Sequence, residues 1–405
     1  MKNKKEFSRF HCMIVHAYYP LGETRVEREA LALVKAGYAV DVLCLRDENE
    51  RAFESIEGVD IYRLPVMRKK TGGLFGQLLE YLSFFLLVFI KLFELYPRQK
   101  YGTVQAHNLP DFLVFSAIFP KLFGARLILD IHDLMPEFFA SKMDRDMDSF
   151  IVRLVILQEQ LSCRFADHVV TVTDLWREKL ISRGVRADKV GVVMNVADDR
   201  IFHSNGIAAR SQGENRGLRL IYHGTFKQHY GMEDLILAIK LASKEVPDLH
   251  LTLQGVGEYH PEMVRMVDEL GLHQNIEINA FALPTEELPA LIKKADAGVV
   301  PNHNDVFTGD LLPTKMLEYV ALDIPVIASK TRVISQYFDD EMVQFFTPGD
   351  PESLAQNIIY LNNHRDRLDE QILNTKKFTE NYSWQSVSTR YVDLVTQLSE
   401  RGRSD

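Results

Sequence analysis

The sequence predicts an α/β protein made of two doubly wound parallel-sheet domains that face a cleft. Short apolar strands alternate with amphipathic helices through the first half of the chain, and the alternation restarts in the second half. A loop rich in Ser, Gly, Asn and Arg, residues 203–219, separates the two series. At 405 residues, the chain also exceeds what one hydrophobic core ordinarily organises.

The first series accounts for residues 11–193. Alternation of this kind implies a parallel sheet with helices on both faces. The predicted strands are His11–Ala17, Ala39–Leu45, Val59–Leu64, Thr103–Ala106, Arg126–Ile131, His168–Val172 and Lys189–Val193. The predicted helices are Arg25–Lys35, an apolar helix over 74–96, Phe112–Phe123, Phe150–Phe165 and Asp174–Ile181.

The second series predicts a similar domain, followed by a tail helix over Ser383–Leu398. We therefore expect an N-terminal domain over 1–203, a C-terminal domain over 204–382, and a helix over 383–405 that packs back toward the first domain. The predicted strands are Leu220–His223, Leu249–Gln254, Ile276–Ala280, Ala297–Pro301 and Pro325–Ala328. The predicted helices are Met232–Ser243, Pro261–Leu270, Glu286–Lys294 and one that begins at Pro313.

Composition excludes several function classes. The net charge of −9 argues against a general nucleic-acid binder. Cys12, Cys44 and Cys163 lie in apolar runs at unrelated spacings, which favours buried thiols in the cytoplasm over disulfides. The basic N-terminus lacks a cleavage pattern, so no signal peptide is predicted. No histidine pair has ligand spacing, and Asp144-Arg-Asp146 reads as a solvated loop, so neither a metal nor another cofactor is predicted.

The helix over 74–96 leaves two alternatives open. Its apolar run is nearly uninterrupted over Leu82–Ile90, but charged residues at both ends make it too short to span a bilayer. It is either a core helix or a helix in the membrane interface. Basic flanks would then attach the protein to the inner face of the membrane. These flanking residues are Arg68, Lys69, Lys70, Arg98 and Lys100.

The most informative motif lies in residues 308–328, where Asp310 and Glu318 stand eight residues apart across the start of a helix. Pro313 suits the first helical turn, and the apolar face predicted behind it leaves Lys315 beside Glu318. Helix N-termini bind phosphate through free N–H groups, and carboxylates accept hydrogen bonds from sugar hydroxyls. Phosphate flanked by sugar hydroxyls describes a nucleotide-sugar. The alternative is a surface helix with a capping aspartate.

Two strand ends in the first domain carry further polar side chains. In Leu129–Glu137, packing alone hardly explains the cluster of His132, Asp133 and Glu137, and ligand chemistry concentrates at such strand ends. Upstream, His107 and Asn108 also follow a strand, where a structural role is an equally good interpretation. The candidates for the acceptor side are His107, Asn108, Asp133 and Glu137.

From Ala17-Tyr-Tyr-Pro20 to the tail helix, the chain resembles the retaining glycosyltransferases of family 4, which have the two-Rossmann GT-B fold. Their signature is two glutamates separated by seven residues; here Asp310 takes the first place and Glu318 the second. The resemblance implies that Glu318 holds the ribose, that Asp310 and His132 contact the donor sugar, and that phosphate meets Gly22 amides. It places the phosphates also against the start of the helix, at residues Leu311, Leu312, Thr314 and Lys315.

The loop Tyr222–Met232 departs from the family pattern. Family members carry Arg after its first glycine and Lys before its second, and both grip the diphosphate. Here these positions hold Thr225 and Tyr230. We retain Thr225 as a donor-binding residue and expect Lys227 to supply the missing charge, since charge builds on the departing diphosphate.

The resemblance implies a metal-independent, retaining glycosyltransferase that uses a nucleotide-diphosphate sugar. The apolar helix suggests a glycan or lipid-linked acceptor, as in surface polysaccharide biosynthesis. A non-catalytic nucleotide-sugar-binding or scaffold protein on the same fold is the alternative, because the basic positions and the first glutamate are replaced.

Overall fold

The structure is a computed structural model that describes residues 9–20, 23–66, 73–204, 217–306 and 308–401. The chain divides into two compact units. Unit 1 comprises residues 1–195 and 387–405, and unit 2 comprises residues 196–386. The division falls eight residues before the expected boundary at 203/204. Phe202, which precedes the polar loop, is buried and counts with unit 2.

Unit 1 contains an eight-stranded sheet. Its strands are β1 (Phe10–Tyr18), β2 (Ala39–Leu45), β3 (Phe53–Ile56), β4 (Val59–Leu64), β5 (Thr103–His107), β6 (Arg126–Ile131), β7 (His168–Thr171) and β8 (Val190–Val192). Its first helices are α1 (Thr24–Lys35), α2 (Gly73–Gln99), α3 (Ile118–Leu122), α4 (Met135–Lys142), α5 (Phe150–Phe165) and α6 (Asp174–Ser182).

The strand order of this sheet is β3-β4-β2-β1-β5-β6-β7-β8, and only the β3–β4 pair is antiparallel. Strand β3, which the sequence analysis did not predict, forms a short edge hairpin with β4 through Glu57 and Gly58, both at positive φ. The chain leaves β1 toward β2 and later returns to β5 on the other side of β1. The point between β1 and β5 is therefore the switch point at which α/β sheets bind ligands.

The polypeptide ends by packing back on unit 1. The tail helix (Trp384–Arg401; α14 below) buries Val387, Tyr391, Val395 and Leu398, which recur at helical spacing on one face. Tyr391 Oη donates to Gln105 Oε1 at 2.7 Å in the middle of the sheet.

Unit 2 contains a six-stranded, wholly parallel sheet in the order β11-β10-β9-β12-β13-β14. Its strands are β9 (Arg219–His223), β10 (His250–Gln254), β11 (Ile276–Asn279), β12 (Ala297–Val300), β13 (Val326–Ser329) and β14 (Gln344–Phe346). Its helices are α7 (Met232–Ala242), α8 (His260–Leu270), α9 (Leu288–Ile292), α10 (Thr314–Ala321), α11 (Arg332–Tyr337), α12 (Pro351–Asn363) and α13 (Asp366–Asn381), and α14 follows.

The predicted alternation of strands and helices is confirmed, and so is the α/β class with two parallel-sheet units. Two elements differ in form. The region predicted as helix Phe112–Phe123 is a 3-10 segment over Asp111–Ala117 that continues into the short α3. The region Glu286–Lys294 is likewise a 3-10 turn followed by α9. Prolines at positions 120 and 289 lie in the short α-helices, where the missing N–H prevents longer regular ladders.

Helix α2 is a core helix along one of its faces, which is the first alternative left open by the sequence. One stripe (Phe84, Val88, Leu92 and Leu95) is buried in unit 1. The opposite stripe exposes large apolar side chains, namely Phe75, Leu78, Leu79, Leu82, Leu86, Ile90 and Phe93. Within the described parts of the chain, no helix has both the length and the apolarity that crossing a bilayer requires. The basic flank at 68–70 lies outside the described residues.

Gly298 provides a test of how α10 packs on the sheet. A Cβ at this position of β12 would lie 2.3 Å from the ring of the buried Tyr319 of α10. We expect Gly298→Ala to destabilise the protein by about 1–3 kcal/mol through overpacking, measured as a lower midpoint of urea unfolding.

Gly76→Ala is the matched control, because a Cβ there meets nothing within 4 Å and the site is helical. It should leave stability unchanged or raise it by up to about 1 kcal/mol. Equal midpoints for the two variants would contradict the close packing of α10 on β12.

Candidate active site

The candidate site in unit 2 lies at the carboxyl ends of neighbouring strands. Strand β9 pairs with both β10 and β12, so the chain runs away from it in opposite directions. The loop after β9 (residues 224–231) and the segment after β12 (residues 301–313) therefore leave the sheet side by side. This is the topological switch point of the unit, where open α/β sheets bind ligands.

Helix α10 begins in this segment, directly after Pro313. Met316, Leu317 and Val320 are buried, as the sequence predicted, and Tyr319 is buried with them. Thr314 is exposed, and Lys315 and Glu318 are half-buried on the other face. The first turn contains no acidic residue, so no side-chain carboxylate occupies the positive end of the helix.

Glu318 is oriented by a histidine that the sequence analysis did not single out. Nε2 of His223, the last residue of β9, lies 2.6 Å from Glu318 Oε2. Its Nδ1 lies 2.9 Å from the hydroxyl of Tyr319. Because the carboxylate can only accept, Nε2 carries the proton in this pair. His223 lies within the segment Tyr222–Met232, and its position at the end of a strand is the sequence signal that points to a role in the site.

Asp310 has a different environment. Its side chain is only 2% exposed, and Oδ1 lies 2.7 Å from Nη2 of Arg332, a largely exposed side chain of α11. It ends a 3-10 turn, Thr308–Asp310, which the Asp305 carboxylate holds by accepting from Thr308 N at 2.7 Å. A sugar hydroxyl could therefore reach this carboxylate only by sharing or displacing Arg332. Leu311 and Leu312 follow it, half-buried.

The loop after β9 presents Thr225 to solvent and Lys227 partly so. Lys227 precedes a 3-10 turn, Gln228–Tyr230. A Cβ at Gly255 would lie 1.8 Å from the Gly224 carbonyl oxygen. The turn Gln254–Gly257 thus has the structural role that its glycines suggest, because backbone packs on backbone there.

Lys315 approaches this loop from α10. Its Nζ donates to Tyr222 Oη at 2.8 Å and lies 4.0 Å from the centroid of that ring. The ring of Tyr230 is 5.1 Å away. Burial lowers the pKa of Lys315 to about 7, although the Glu318 carboxylate acts in the opposite sense. The site in unit 2 therefore combines a cation, a helix N-terminus and an oriented carboxylate.

In unit 1, the polar side chains gather around Asp130, at the end of β6. Arg25 of α1 donates to both its carboxylate oxygens, at 2.9 and 3.1 Å, and also to the Val193 carbonyl at 2.9 Å. Burial would raise the pKa of Asp130, but the guanidinium lowers it well below its usual range. Arg25 has no obvious sequence signal beyond being a charged residue on the inner face of α1.

His132 follows Asp130 by two residues, and its Nδ1 lies 3.9 Å from Asp130 Oδ1. The side chain is 20% exposed. Burial lowers the pKa of His132 to about 4, against the opposing effect of Asp130. The imidazole is therefore neutral at physiological pH and can exchange one hydrogen bond as donor or acceptor with a ligand.

His107 and Asn108 have structural positions. His107 is fully buried, with Nδ1 3.0 Å from Asp130 Oδ2. The Asn108 amide oxygen accepts from the backbone N–H groups of His132 and Asp133, at 3.1 and 3.3 Å. Asn108 therefore fixes the loop that carries His132. These contacts favour the structural alternative for both residues.

Glu137 does not face an acceptor, contrary to the sequence-based expectation. It lies in the first turn of α4, buried, within 2.9 Å of Lys179 Nζ and hydrogen bonded to Arg183. Asp133 is half-buried, and burial followed by the nearby Glu23 carboxylate raises its pKa to about 6. Of the expected acceptor-side residues, Asp133 remains a candidate. Gly22 lies outside the described residues.

One group of side chains in the described residues has the spacing of a metal site: His107, Asp130 and His132 offer atoms within 4.8 Å of one another. Arg25 binds both oxygens of Asp130, so a cation there would have to displace a buried guanidinium. The donor set does not fit a metal centre.

The titration of His132 tests this account of unit 1. Because burial holds its folded-state pKa at about 4, below the ordinary 6.5, the unfolded chain binds a proton that the folded chain excludes between these values. Its contribution to stability is therefore complete above pH 6.5 and is lost as the pH falls toward 4. We expect an NMR titration of the imidazole to give a midpoint near 4, and near 6.5 in urea. A folded-state midpoint above 6 would contradict this environment.

Known proteins resemble both units. The family model described as "Glycosyl transferase 4-like domain" matches residues 22–195, and the model described as "Glycosyl transferases group 1" matches residues 208–378. The chitobiosyldiphosphodolichol beta-mannosyltransferase of Debaryomyces hansenii is 22% identical over 351 residues, 80% of this chain and 73% of that protein. The putative colanic acid biosynthesis glycosyltransferase WcaL of Salmonella typhimurium is 21% identical over 58% of each chain.

Solved structures show the same fold. Sucrose-phosphate synthase from Thermosynechococcus elongatus superimposes with a TM-score of 0.76 at 18% identity, covering 96% of this chain and 98% of that one. HepE from Anabaena in complex with UDP gives a TM-score of 0.71 at 16% identity, with 96% and 99% covered. Since the two domain descriptions match successive parts that together make up most of the chain, this protein belongs to the family 4-type glycosyltransferases with the GT-B fold.

Proposed function

We propose that this protein is a retaining, metal-independent glycosyltransferase. It transfers a sugar from a nucleotide-diphosphate sugar to a lipid-linked glycan at the inner face of a membrane. The observation that carries the proposal is the arrangement at the start of α10. Lys315 and the helix N-terminus provide positive potential, and Glu318, held by His223, provides an acceptor for sugar hydroxyls.

The donor roles follow from these contacts. The fixed Glu318 carboxylate binds the ribose hydroxyls, and the amides from Leu311 to Thr314 meet the phosphates. Asp310 binds the donor sugar after giving up part of its contact with Arg332. His132 of unit 1, neutral by burial, exchanges a hydrogen bond with a sugar hydroxyl.

The chemistry relies on positioning and on stabilising the leaving group. The bond between the anomeric carbon and the diphosphate oxygen breaks, and the acceptor oxygen bonds to that carbon on the same face. The acceptor proton passes to the departing phosphate oxygen. Because attack occurs on the face that the diphosphate leaves, the anomeric carbon retains its configuration without a protein nucleophile. The negative charge that develops on the diphosphate is stabilised by the N-terminus of α10 and by Lys315.

The names of relatives support a lipid-linked acceptor. The Debaryomyces protein is named for a saccharide on diphosphodolichol, and WcaL and AmsK of Erwinia amylovora are named for polysaccharide biosynthesis. An acceptor that is attached to a lipid requires access to a membrane surface.

Unit 1 has a surface suited to such access, which we call the apolar face. It comprises the exposed sides of α2, α3 with Phe123, and α5. These helices connect strands that succeed one another in one direction across the sheet, so right-handed crossovers place them on the same side. Ring contacts connect these helices. The ring centroids of Phe93 in α2 and Phe119 in α3 are 4.7 Å apart, and those of Phe115, just before α3, and Phe165 in α5 are 4.8 Å apart.

The apolar face is large, and on α2 it ends at the exposed charged residues Glu94 and Arg98. Of the 22 exposed large hydrophobic side chains in the described residues, 15 belong to it, between 42% and 78% exposed. The described exposed positions of α2 from Gly73 to Phe93 carry no charge, and those of α5 are charged only at Arg153 and Arg164. Exposed apolar area of this extent marks an interaction site, and the two exposed arginines of α5 would attract anionic lipid headgroups.

Glu318 tests the proposed donor site. We expect Glu318→Gln to weaken binding of the matching nucleoside diphosphate by roughly 10- to 100-fold, because a charge-assisted acceptor is lost. Calorimetry with UDP, GDP and ADP measures it, and a transfer assay with the sugar of the best-binding base follows.

Glu286→Gln, in an exposed turn of the same unit, is the control and should bind like the wild type. The donor-site assignment fails if no nucleoside diphosphate binds the wild-type protein, or if Glu318→Gln binds as well as the control.

Vesicle flotation tests the apolar face. We expect the protein to float with phosphatidylglycerol vesicles and to float less with phosphatidylcholine. Replacing Leu82, Leu86 and Ile90 by Ser should reduce partitioning at least roughly tenfold, because these side chains no longer enter the interface.

A matched variant carries Ser at Val264, Tyr360 and Leu373, which are exposed hydrophobic side chains of unit 2. It should float like the wild type. Absence of wild-type flotation, or equal flotation of both triple variants, would refute membrane docking. A concentration-dependent dimer that only the α2 replacements abolish would assign the face to a second copy of the chain.

A non-catalytic nucleotide-sugar-binding protein is the second candidate. It is favoured by the ion pair of Asp310 with Arg332 and by Thr225 and Tyr230 at positions that are basic in the family. Donor turnover separates the two functions: a binder gives a calorimetric signal with the donor but releases no nucleotide, with or without membrane extracts as acceptor source.

A further inference from the structure

The side chain of Lys315 occupies an unusual place in unit 2. Its ammonium group lies over the ring of Tyr222 and next to that of Tyr230, at 4.0 and 5.1 Å from their centroids. Gly224 lies beneath it: a Cβ there would come within 3.2 Å of Lys315 Cε. Gly224 also has φ of +123°, so the loop requires glycine for its conformation and provides room for the lysine.

A hydrogen-bonded chain fixes this position. Lys315 Nζ donates to Tyr222 Oη at 2.8 Å, and Tyr222 Oη donates in turn to the Thr225 carbonyl at 2.8 Å. The lysine is thereby tied to the loop after β9, which lies at the switch point of the sheet. Tyr222 is buried, so the chain is rigid at its middle member.

The charge of this lysine is only partly balanced within the described residues, where the Glu318 carboxylate favours the protonated form. It forms no ion pair there, and the carboxylate of Glu318, on the same helix, contacts His223 instead. Lys315 also lies in the first turn of α10, where the positive end of the helix dipole opposes a further positive charge. Ring faces and a hydroxyl offer only partial compensation for a half-buried ammonium.

The surroundings of Lys315 therefore favour binding of an anion that a ligand, rather than the polypeptide, supplies. A diphosphate at the start of α10 would meet the helix N–H groups and the ammonium together. It would also remove the electrostatic cost of charging the lysine. Lys227, by contrast, is a half-buried residue before a 3-10 turn and has no comparable set of contacts among the described residues.

We propose that Lys315, held by Tyr222 and Tyr230, is the cation that binds the donor diphosphate, and that it takes up a proton as the diphosphate binds. The proposal rests on the donor site of the proposed function and replaces Lys227 in the role expected from the sequence. It also accounts for Thr225 and Tyr230 at the two family positions that are usually basic. The positive charge is supplied by Lys315 of α10, and the ring of Tyr230 packs beside its ammonium group.

The sign of the pH effect follows from burial, which lowers the pKa of Lys315 to about 7. At pH 8.2 the free protein holds the lysine mostly neutral, whereas an adjacent diphosphate raises its pKa and keeps it charged. Binding at pH 8.2 is then accompanied by uptake of most of one proton. Affinity for the diphosphate declines as pH rises from 7 to 9.

The experiment is calorimetry at pH 8.2 in two buffers of different ionisation enthalpy, with UDP, GDP and ADP, which are fully ionised at this pH. The difference in heat between the buffers gives the number of protons taken up. Wild-type protein should take up most of one proton with its preferred diphosphate. Lys315→Gln should lose this uptake and bind roughly 10- to 100-fold more weakly.

Two further variants and one ligand separate binding from a structural role. Lys315→Arg should restore part of the affinity without proton uptake, because guanidinium is always charged. Lys227→Gln should retain both affinity and uptake. Binding of the corresponding nucleoside, which lacks phosphate, should be the same in wild type and Lys315→Gln, whereas a collapsed loop would weaken both ligands.

The outcomes distinguish this inference from the proposed function. If the wild type binds a diphosphate without proton uptake, or if Lys315→Gln binds it as tightly, Lys315 is not the diphosphate cation although the donor site stands. If Lys227→Gln rather than Lys315→Gln loses affinity, the charge comes from the loop. If no diphosphate binds the wild type at all, the proposed function fails first.

Discussion

Parallel pairing of β9 with β12 is the constraint on which the candidate site depends. These strands are neighbours in the sheet although α7, β10, α8, β11 and α9 lie between them in sequence. Their pairing brings the loop after β9 next to the start of α10. Gly298 then allows the ring of Tyr319 to lie directly on β12, and the Tyr319 hydroxyl reaches His223. The position of Glu318 is thus determined by sheet topology through a short chain of contacts, rather than by its own helix alone.

Unit 1 achieves a comparable result with buried charge. The Asp130 carboxylate is removed from water, and its cost is offset by two hydrogen bonds from Arg25. Gln105, which the tail helix holds through Tyr391, adds a third at 3.4 Å. His132 next to this neutralised pair stays uncharged. A neutral imidazole in unit 1 and, in unit 2, a lysine without an ion-pair partner among the described residues are therefore the contrasting features of the two units.

The apolar face is the feature of unit 1 on which the proposed membrane contact depends. One stripe of helix α2 packs into the core and the other is exposed to solvent, and both stripes are apolar. Such a helix is costly in water alone, because its outer side chains gain nothing from folding. Together with α3 and α5 it gives unit 1 the exposed apolar surface on which the proposal of a lipid-linked acceptor rests.

The sequence by itself determined the α/β alternation, the two-unit division and the buried face of α10, because these follow from the period of apolar residues along the chain. It also identified Glu318, His132 and the loop after β9 as candidates. Only the tertiary structure decided which polar groups meet. Glu137 pairs with Lys179 and Arg183, Asp310 pairs with Arg332, and Lys315 lies over Tyr222. The physical reason is that ion pairs and burial depend on contacts between distant segments, which periodicity and spacing do not encode.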